Sequence, residues 1–298
     1  MNPAPLRGIV PPLPTPLTEA EEIDLGALTG LEEHHIRAGV HGLWIMGSTA
    51  RFDLIPDARK RQVAEAAARV ASGRLPMVLN VSDMGTGRTL DFARSCDDLP
   101  YDYYAVLPPW YLPMTPGEVA DYFLALADGL ARPLVIYNAP WVNNQIDFAA
   151  LRRLAEHPRI VGVKDVGAGL GRPLDFPAAE RRRLGFSYLH GNDFVAIGTA
   201  LEADGYVSAL ADAFPEVAVA AWDATLAGDE ARAFRLQAQF LRLARAMTLG
   251  PYQACLEVAC RHRGWLERML PKPLRPLTPD VARQVIAAIE AAGILPAE

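Results

Sequence analysis

Cysteine is scarce in this chain. Only Cys96, Cys255 and Cys260 occur in 298 residues. Three scattered thiols cannot form the disulfide framework that stabilises small secreted domains. Cys255 and Cys260 lie five residues apart in a helical pattern without a second ligand pair, so we expect no zinc site there. The cysteine content favours a reducing compartment, and we expect a cytoplasmic protein.

The sequence also lacks an excess of positive charge and any long apolar run. Lysine and arginine number 29 against 35 aspartates and glutamates, which gives a net charge of -6. Because nucleic acids and anionic membranes attract basic surfaces, we expect neither as a partner. No window approaches the roughly 18 consecutive apolar residues of a membrane span. The proline-rich N-terminus lacks the charged and then apolar pattern of a signal peptide.

Short apolar runs alternate with amphipathic helical patterns along most of the chain. Eight such runs predict strands at residues 8–13, 40–46, 75–81, 103–107, 133–137, 159–164, 186–190 and 205–210. Strands that alternate with helices predict a parallel sheet covered by helices. Eight repeats within about 200 residues favour a closed (β/α)8 TIM barrel over an open sheet. The first strand ends in prolines and not in a glycine-rich phosphate loop, which argues against a dinucleotide fold.

Further helical patterns follow the eighth strand. They cover residues 215–226, 229–249, 252–263 and 279–292. We predict a barrel domain over residues 1–226 and a C-terminal helical region over residues 227–298 that packs on it. The second pattern predicts a buried face made of Phe234, Leu236, Phe240, Leu241, Leu243 and Met247. Between strands six and seven we predict one helix over residues 172–183, with its arginines, Arg172 and Arg181 to Arg183, on a solvated face.

Lys164 ends the sixth apolar run, which begins near Ile160. Lysine is rarely buried without a partner or a chemical task. Its ordinary pKa of about 10.4 leaves little neutral amine at pH 7, whereas burial lowers that pKa by up to several units. A neutral amine attacks a carbonyl carbon and forms a Schiff base. The alternative interpretation is a solvated lysine that pairs with Asp165.

Other reactive side chains follow the predicted strands. Ser48 and Thr49 follow the second strand, Tyr111 the fourth and Tyr137 the fifth. The carboxyl ends of the strands of such a barrel form one face, where active sites lie. We therefore expect two hydroxyls, two phenols and Lys164 to converge. The strand ends show no Ser-His-Asp set, no paired carboxylates and no metal-ligand spacing, so we expect neither hydrolase chemistry nor a metal.

Five ordered motifs resemble one family. They are Gly47-Ser48-Thr49, Tyr137-Asn138-Ala139-Pro140, Gly162-Val163-Lys164-Asp165, Gly191-x-Asp193 and Gly205-x-Val207-Ser208. Together they resemble the dihydrodipicolinate synthase/N-acetylneuraminate lyase family. The resemblance runs from Gly8 to the C-terminal helices.

The resemblance implies a class I aldolase-type lyase. Lys164 would form an imine with a 2-oxo acid, and Tyr137 would be the general acid and base. The phenol proton would be relayed through Thr49 and Tyr111. Ser48 and Thr49 would hold the carboxylate of the 2-oxo acid through hydroxyl and backbone N–H groups.

The resemblance also implies further substrate contacts and an oligomer. Gly191, Asp193 and Val207 would contact the substrate. The tyrosine that matches Tyr111 comes from a neighbouring subunit in this family, so we expect a homo-oligomer, either a dimer or a tetramer. The imine is itself the electron sink, so we expect no cofactor.

Three departures from the family pattern limit the choice of substrate. Ala50-Arg51 replaces the usual Gly-Glu, so that either the carboxylate pocket is re-lined or a charge network is rewired. Val142 stands where the synthases carry an arginine for their second carboxylated substrate. Phe194 stands where the sialic-acid lyases carry an acid. We expect a lyase that cleaves a 2-keto-3-deoxy sugar acid to pyruvate and an aldehyde, or dehydrates it.

Three alternatives stay open. One is a condensation like that of dihydrodipicolinate synthase. If Trp110, Trp141 and Phe194 line the pocket, a hydratase-aldolase acting on an aromatic 2-oxo acid becomes the better interpretation. A non-catalytic scaffold that binds a 2-oxo acid is the third.

Overall fold

A computed structural model of the chain describes residues 4–167 and 169–294. Eight parallel strands form one sheet. Each strand from β2 to β7 pairs with the next one along the chain, and β8 also pairs with β1. The strands are β1 Gly8–Ile9, β2 Leu43–Ile45, β3 Met77–Asn80, β4 Tyr103–Val106, β5 Leu134–Asn138, β6 Ile160–Asp165, β7 Ser187–His190 and β8 Gly205–Tyr206.

Backbone hydrogen bonds between the first and second strand regions close the ring. The N–H of His41 donates to the carbonyl of Ile9 at 2.8 Å, and the N–H of Trp44 donates to that of Pro11 at 3.0 Å. The imidazole Nδ1 of His41 in turn accepts the N–H of Ile9 at 3.2 Å. A closed ring leaves no strand edge unpaired. The predicted (β/α)8 barrel is thereby confirmed.

Helices alternate with the strands. They are α1 Leu25–Arg37, α2 Asp57–Ala71, α3 Thr86–Ser95, α4 Pro116–Gly129, α5 Phe148–Leu154, α6 Ala178–Leu184, α7 Val195–Ala200 and α8 Pro215–Leu226. Local sequence explains where several begin. The Asp24 carboxylate caps α1 by accepting the N–H of Ala27, and Thr115 and Glu118 form a capping box at α4. The predicted bounds of α8 are those observed.

The single helix predicted over residues 172–183 is wrong. A 3-10 turn at Arg172–Asp175 precedes α6, which begins only after Pro177. Proline disfavours a helical backbone at the residue before it, so the helix cannot run through Phe176.

The prediction that these arginines face solvent is also wrong for Arg181. Arg181 is 1% exposed. Its guanidinium pairs with Asp204 at 2.9 Å and donates to the carbonyl of Pro173. The guanidinium of Arg181 therefore links α6 to the loop before β8. The polar pattern of the helix does not reveal this contact.

Three C-terminal helices follow α8. They are α9 Glu230–Ala246, α10 Tyr252–His262 and α11 Pro279–Ala291. Helix α9 packs against α8, and α11 packs against both α9 and α10. Phe240 and Leu243 of α9 are buried in the same hydrophobic core as the barrel, as expected. Phe234, predicted for the same face, is 57% exposed, because the buried stripe runs through Ala233 and Gln237 instead. The domain boundary at residues 226 and 227 stays a prediction.

Among residues 4–167 and 169–294, each helix is too short or too polar to cross a lipid bilayer.

Candidate active site

A cleft of about 600 Å³ opens at the carboxyl ends of the strands. The turn after β2, the ends of β5 and β6, and the segments after β7 and β8 contribute to its walls. The first turn of α10 also reaches it. Its lining includes Ser48, Thr49, Arg51, Asp53, Trp110, Tyr137, Trp141, Lys164, Gly191, Asp193, Val207, Tyr252 and Gln253.

Lys164 is 4% exposed, although its side chain opens on this cleft. The Lys164 Nζ lies 4.1 Å from the centre of the Tyr137 ring and 5.1 Å from that of Trp44. Burial lowers the pKa of Lys164 to about 7, and the nearby Asp212 opposes that shift. Much of the amine is therefore neutral near pH 7, so the solvated lysine of the alternative interpretation is not what the structure contains.

Tyr137 lies opposite Lys164, because the register of β5 and β6 pairs these two residues. Its hydroxyl donates a hydrogen bond to the Ser48 Oγ at 3.1 Å. Burial raises the pKa of Tyr137 above its ordinary value, so the phenol keeps its proton. The ring packs edge-on against Trp44 and Trp141. The expected relay partner was Thr49, whereas the hydrogen bond of this phenol goes to Ser48.

The turn after β2 holds Ser48 and the buried Thr49. The Ser48 carbonyl accepts the N–H of Arg51 at 3.2 Å, and Arg51 adopts a left-handed backbone with φ of 52°. The Arg51 guanidinium donates two hydrogen bonds to the Asp53 carboxylate, at 2.9 and 2.6 Å. The arginine that replaces the usual acid is thus neutralised within its own turn.

A polar wall comes from the segments after β7 and β8. The Ser208 hydroxyl donates to the Asp193 Oδ1 at 2.6 Å. Burial raises the pKa of Asp193. Gly191 is closely packed, since a Cβ there would lie 2.5 Å from the Val166 Cγ2. Val207 lies beside them in the lining.

Tyr111 does not join the other predicted residues. It is 75% exposed and is not among the described residues that line the cleft of its own chain. Its neighbour Trp110 does line the cleft and packs edge-on against Phe52. Phe194 is exposed and also stays outside the described lining.

Asp212, Tyr252 and Gln253 lie at or near the cleft but were not predicted from the sequence. Asp212 is fully buried, and within the described part of the chain neither carboxylate oxygen has a hydrogen-bond partner. Burial raises its pKa. A lone acid in the apolar run of residues 205–214 was a usable signal for Asp212. Tyr252 and Gln253 offered none, because they begin a helix far along the chain from every other part of the site.

The fold and the cleft define a (β/α)8 barrel protein with a buried lysine and tyrosine pair at the carboxyl ends of its strands. The sequence model described as the dihydrodipicolinate synthetase family matches residues 5–292. A 4-hydroxy-tetrahydrodipicolinate synthase from Acidiphilium cryptum is 32% identical and covers 97% of this chain and 99% of its own length. An uncharacterized DapA-like lyase from Halobacterium salinarum is 27% identical over 99% of this chain and 96% of its own.

Solved structures agree with the sequence relatives. The dihydrodipicolinate synthase of Bacteroides thetaiotaomicron superposes with a TM-score of 0.90 at 28% identity, covering 98% of this chain and all of the other. The chain belongs to the dihydrodipicolinate synthetase family. Members of this family are class I lyases that form a lysine Schiff base with pyruvate, so this chain is an enzyme of that class. The resemblance stated from the motifs is confirmed.

The lowered pKa of Lys164 predicts a pH profile. Only the neutral amine attacks a carbonyl, so the rate of imine formation with pyruvate should fall about tenfold per pH unit below 7 and level off above it. Borohydride trapping at a series of pH values measures this rate. An ordinary solvated lysine would instead give a rate that keeps rising towards pH 10.

Proposed function

We propose that this enzyme forms a Schiff base between Lys164 and a 2-oxo acid and breaks the bond that joins the neighbouring carbon to the rest of the substrate. The buried amine beside Tyr137 at the cleft supports this most strongly. The Lys164 Nζ attacks the keto carbon, and the adduct loses water to give an imine. When the bond beyond the neighbouring carbon breaks, its electron pair moves into the imine and forms an enamine.

Tyr137 handles the proton of this step. In aldol cleavage the departing carbon carries a hydroxyl, which must lose its proton as the aldehyde forms. The Tyr137 phenol accepts that proton while passing its own to the Ser48 Oγ, with which it is hydrogen-bonded, and Ser48 releases its hydroxyl proton to solvent in the cleft. A solvent proton then adds to the enamine carbon, and water hydrolyses the resulting imine, which releases pyruvate and frees Lys164. Because the phenol pKa is raised, a concerted relay is favoured over a free phenolate. The hydroxyl and N–H groups at Ser48 and Thr49 hold the carboxylate of the 2-oxo acid.

The outer wall of the cleft favours a substrate in which the part released as the aldehyde is apolar or aromatic. Phe194 lies outside the described lining, but Trp110 and Trp141 belong to it, together with Phe52 and Val142. Val142 stands where the synthases carry the arginine for a second carboxylate, so condensation with a carboxylated partner is disfavoured. We therefore propose a hydratase-aldolase that releases pyruvate and an aromatic or apolar aldehyde.

A 2-keto-3-deoxy sugar acid is the second candidate substrate. The hydrogen-bonded pair of Asp193 and Ser208, with Tyr252 also in the lining, offers a polar wall that suits sugar hydroxyls. The two candidates differ in which wall of the cleft the part released as the aldehyde contacts.

A panel of 2-oxo acids separates these candidates. We expect an aromatic substrate to be cleaved with kcat/KM at least about tenfold above a keto-deoxy sugar acid, since burying an aromatic group stabilises by about 1.5–3 kcal/mol. Released pyruvate is the measurement. Trp110→Ala should lower the aromatic value about tenfold and leave pyruvate binding unchanged. A preference for the sugar acid would select the second candidate, and no turnover of either class of substrate would contradict both candidates.

Replacing Tyr137 by Phe tests the proton relay. The substitution removes one hydroxyl and keeps the ring beside Lys164. Cleavage should slow by about a hundredfold or more, while imine trapping with pyruvate stays within about tenfold of wild type. Single-turnover kinetics separate the two steps. Equal cleavage by the two proteins would remove Tyr137 from this role.

We also propose a homo-oligomer of at least two subunits, in which Tyr111 completes the relay in the neighbour's cleft. Its exposure beside the exposed Leu112 supports this arrangement. An aromatic and an aliphatic side chain side by side in solvent suit a contact between subunits.

Complementation tests the shared site. Tyr111→Phe and Lys164→Ala should each be inactive alone, because one lacks the relay hydroxyl and the other the amine. When the two are coexpressed, mixed dimers should restore about a quarter of wild-type activity, since half the dimers then hold one complete site. Sedimentation gives the size of each species. A monomer, or coexpression without recovery, would contradict the proposal.

A further inference from the structure

The first turn of α10 reaches the turn after β2 across the mouth of the barrel. The Gln253 Nε2 donates a hydrogen bond to the Ser48 carbonyl at 2.8 Å, although the two residues are 205 positions apart. The same carbonyl accepts the N–H of Arg51 at the longer distance of 3.2 Å. The side-chain amide of Gln253 therefore supplies the shorter of these two bonds to that oxygen.

The geometry of the peptide unit makes this bond consequential. The carbonyl of Ser48 and the N–H of Thr49 belong to one planar trans unit, so they point in opposite directions. A donor that fixes the carbonyl oxygen also fixes the direction of the N–H. The Ser48 hydroxyl on the same residue accepts the hydrogen bond of Tyr137. One amide thus constrains two groups of the site.

The turn needs such support from outside. Arg51 closes it with a left-handed backbone, which is unfavourable for a non-glycine residue. Strain of this kind persists only where surrounding contacts hold it. Gln253 is half-buried and its contact comes from a separate helix, so it restrains the turn independently of the turn's own hydrogen bonds.

We propose that Gln253 is a positioning residue that aims the Thr49 N–H and the Ser48 hydroxyl at the 2-oxo acid. The inference rests on the proposed function, because it takes Ser48 and Thr49 as the holders of the substrate carboxylate. Gln253 acts through the Ser48 carbonyl and takes no part in bond making. The C-terminal helices thereby control how tightly the barrel binds its substrate.

Replacement by methionine, which keeps the length and loses the donor, tests this role. In borohydride trapping, Gln253→Met should raise the half-saturating pyruvate concentration about tenfold, because a misdirected N–H binds the carboxylate poorly. The trapping rate at saturation should stay within about twofold, since Lys164 lies on another strand. Gln253→Glu keeps the shape, cannot donate, and should behave in the same way.

Gln239 offers a matched control. Its Nε2 donates to the Ala292 carbonyl at 2.9 Å, which is the same kind of bond between C-terminal helices. Gln239→Met should leave both trapping parameters unchanged. If the Gln253 variants lower only the melting temperature and keep wild-type half-saturation, the residue is merely structural and the inference is overturned. If wild type itself forms no adduct, the proposed function falls first, and that outcome is distinct.

Discussion

Withdrawal of one amine from water is the constraint on which this site depends. An exposed lysine would be almost wholly charged at neutral pH and would not attack a carbonyl. The closed ring of strands supplies the dry environment, because side chains fill its interior. Lys164 is therefore buried and meets solvent at the cleft. The amine lies over the aromatic faces of Trp44 and Tyr137, and no carboxylate of the described residues lies within ion-pair distance of it. The nearby Asp212 is itself buried, with its pKa raised.

Ser48 connects the remaining parts of the site. Its hydroxyl accepts a hydrogen bond from the phenol of Tyr137 on β5. Its carbonyl accepts one from the side-chain amide of Gln253 on α10. Groups from the barrel and from the C-terminal helices therefore meet at one residue of the turn after β2. Within that turn, Arg51 and Asp53 satisfy each other. The charge reversal relative to the family is thus contained locally, which leaves the approach to Lys164 open.

Much of the barrel could be predicted from local pattern. Apolar runs and capping residues act over a few positions, so the order of the strands and the start of α4 at Pro116 are visible in the sequence. Pro177 is an equally local signal, and the helix predicted across it is wrong because α6 begins only after that proline. Arg181 and Phe234 were misassigned because burial depends on which partner packs opposite, and a helix pattern does not name that partner.

The sequence shows the residues of the site only where they lie at the end of a strand or just after it. Lys164, Tyr137 and Ser48 are such residues, and the strand order brings them to one face. Gln253 begins a helix whose docking on the barrel is a tertiary event, so no local signal marks it. Tyr111 lies outside the described lining of its own cleft, because the position of a residue after a strand does not fix where its side chain points. The cytoplasmic location and the domain boundary likewise stay predictions.

The most direct test is to find which amine captures pyruvate. The chain has only three lysines, Lys60, Lys164 and Lys272, so peptide mapping after borohydride reduction is unambiguous. Lys60 pairs with Asp57 and the side chain of Lys272 is mostly exposed, which makes both poor nucleophiles at neutral pH. The account predicts a single adduct on the peptide that contains Lys164. An adduct on either other lysine, or none after prolonged reduction with pyruvate, would contradict it.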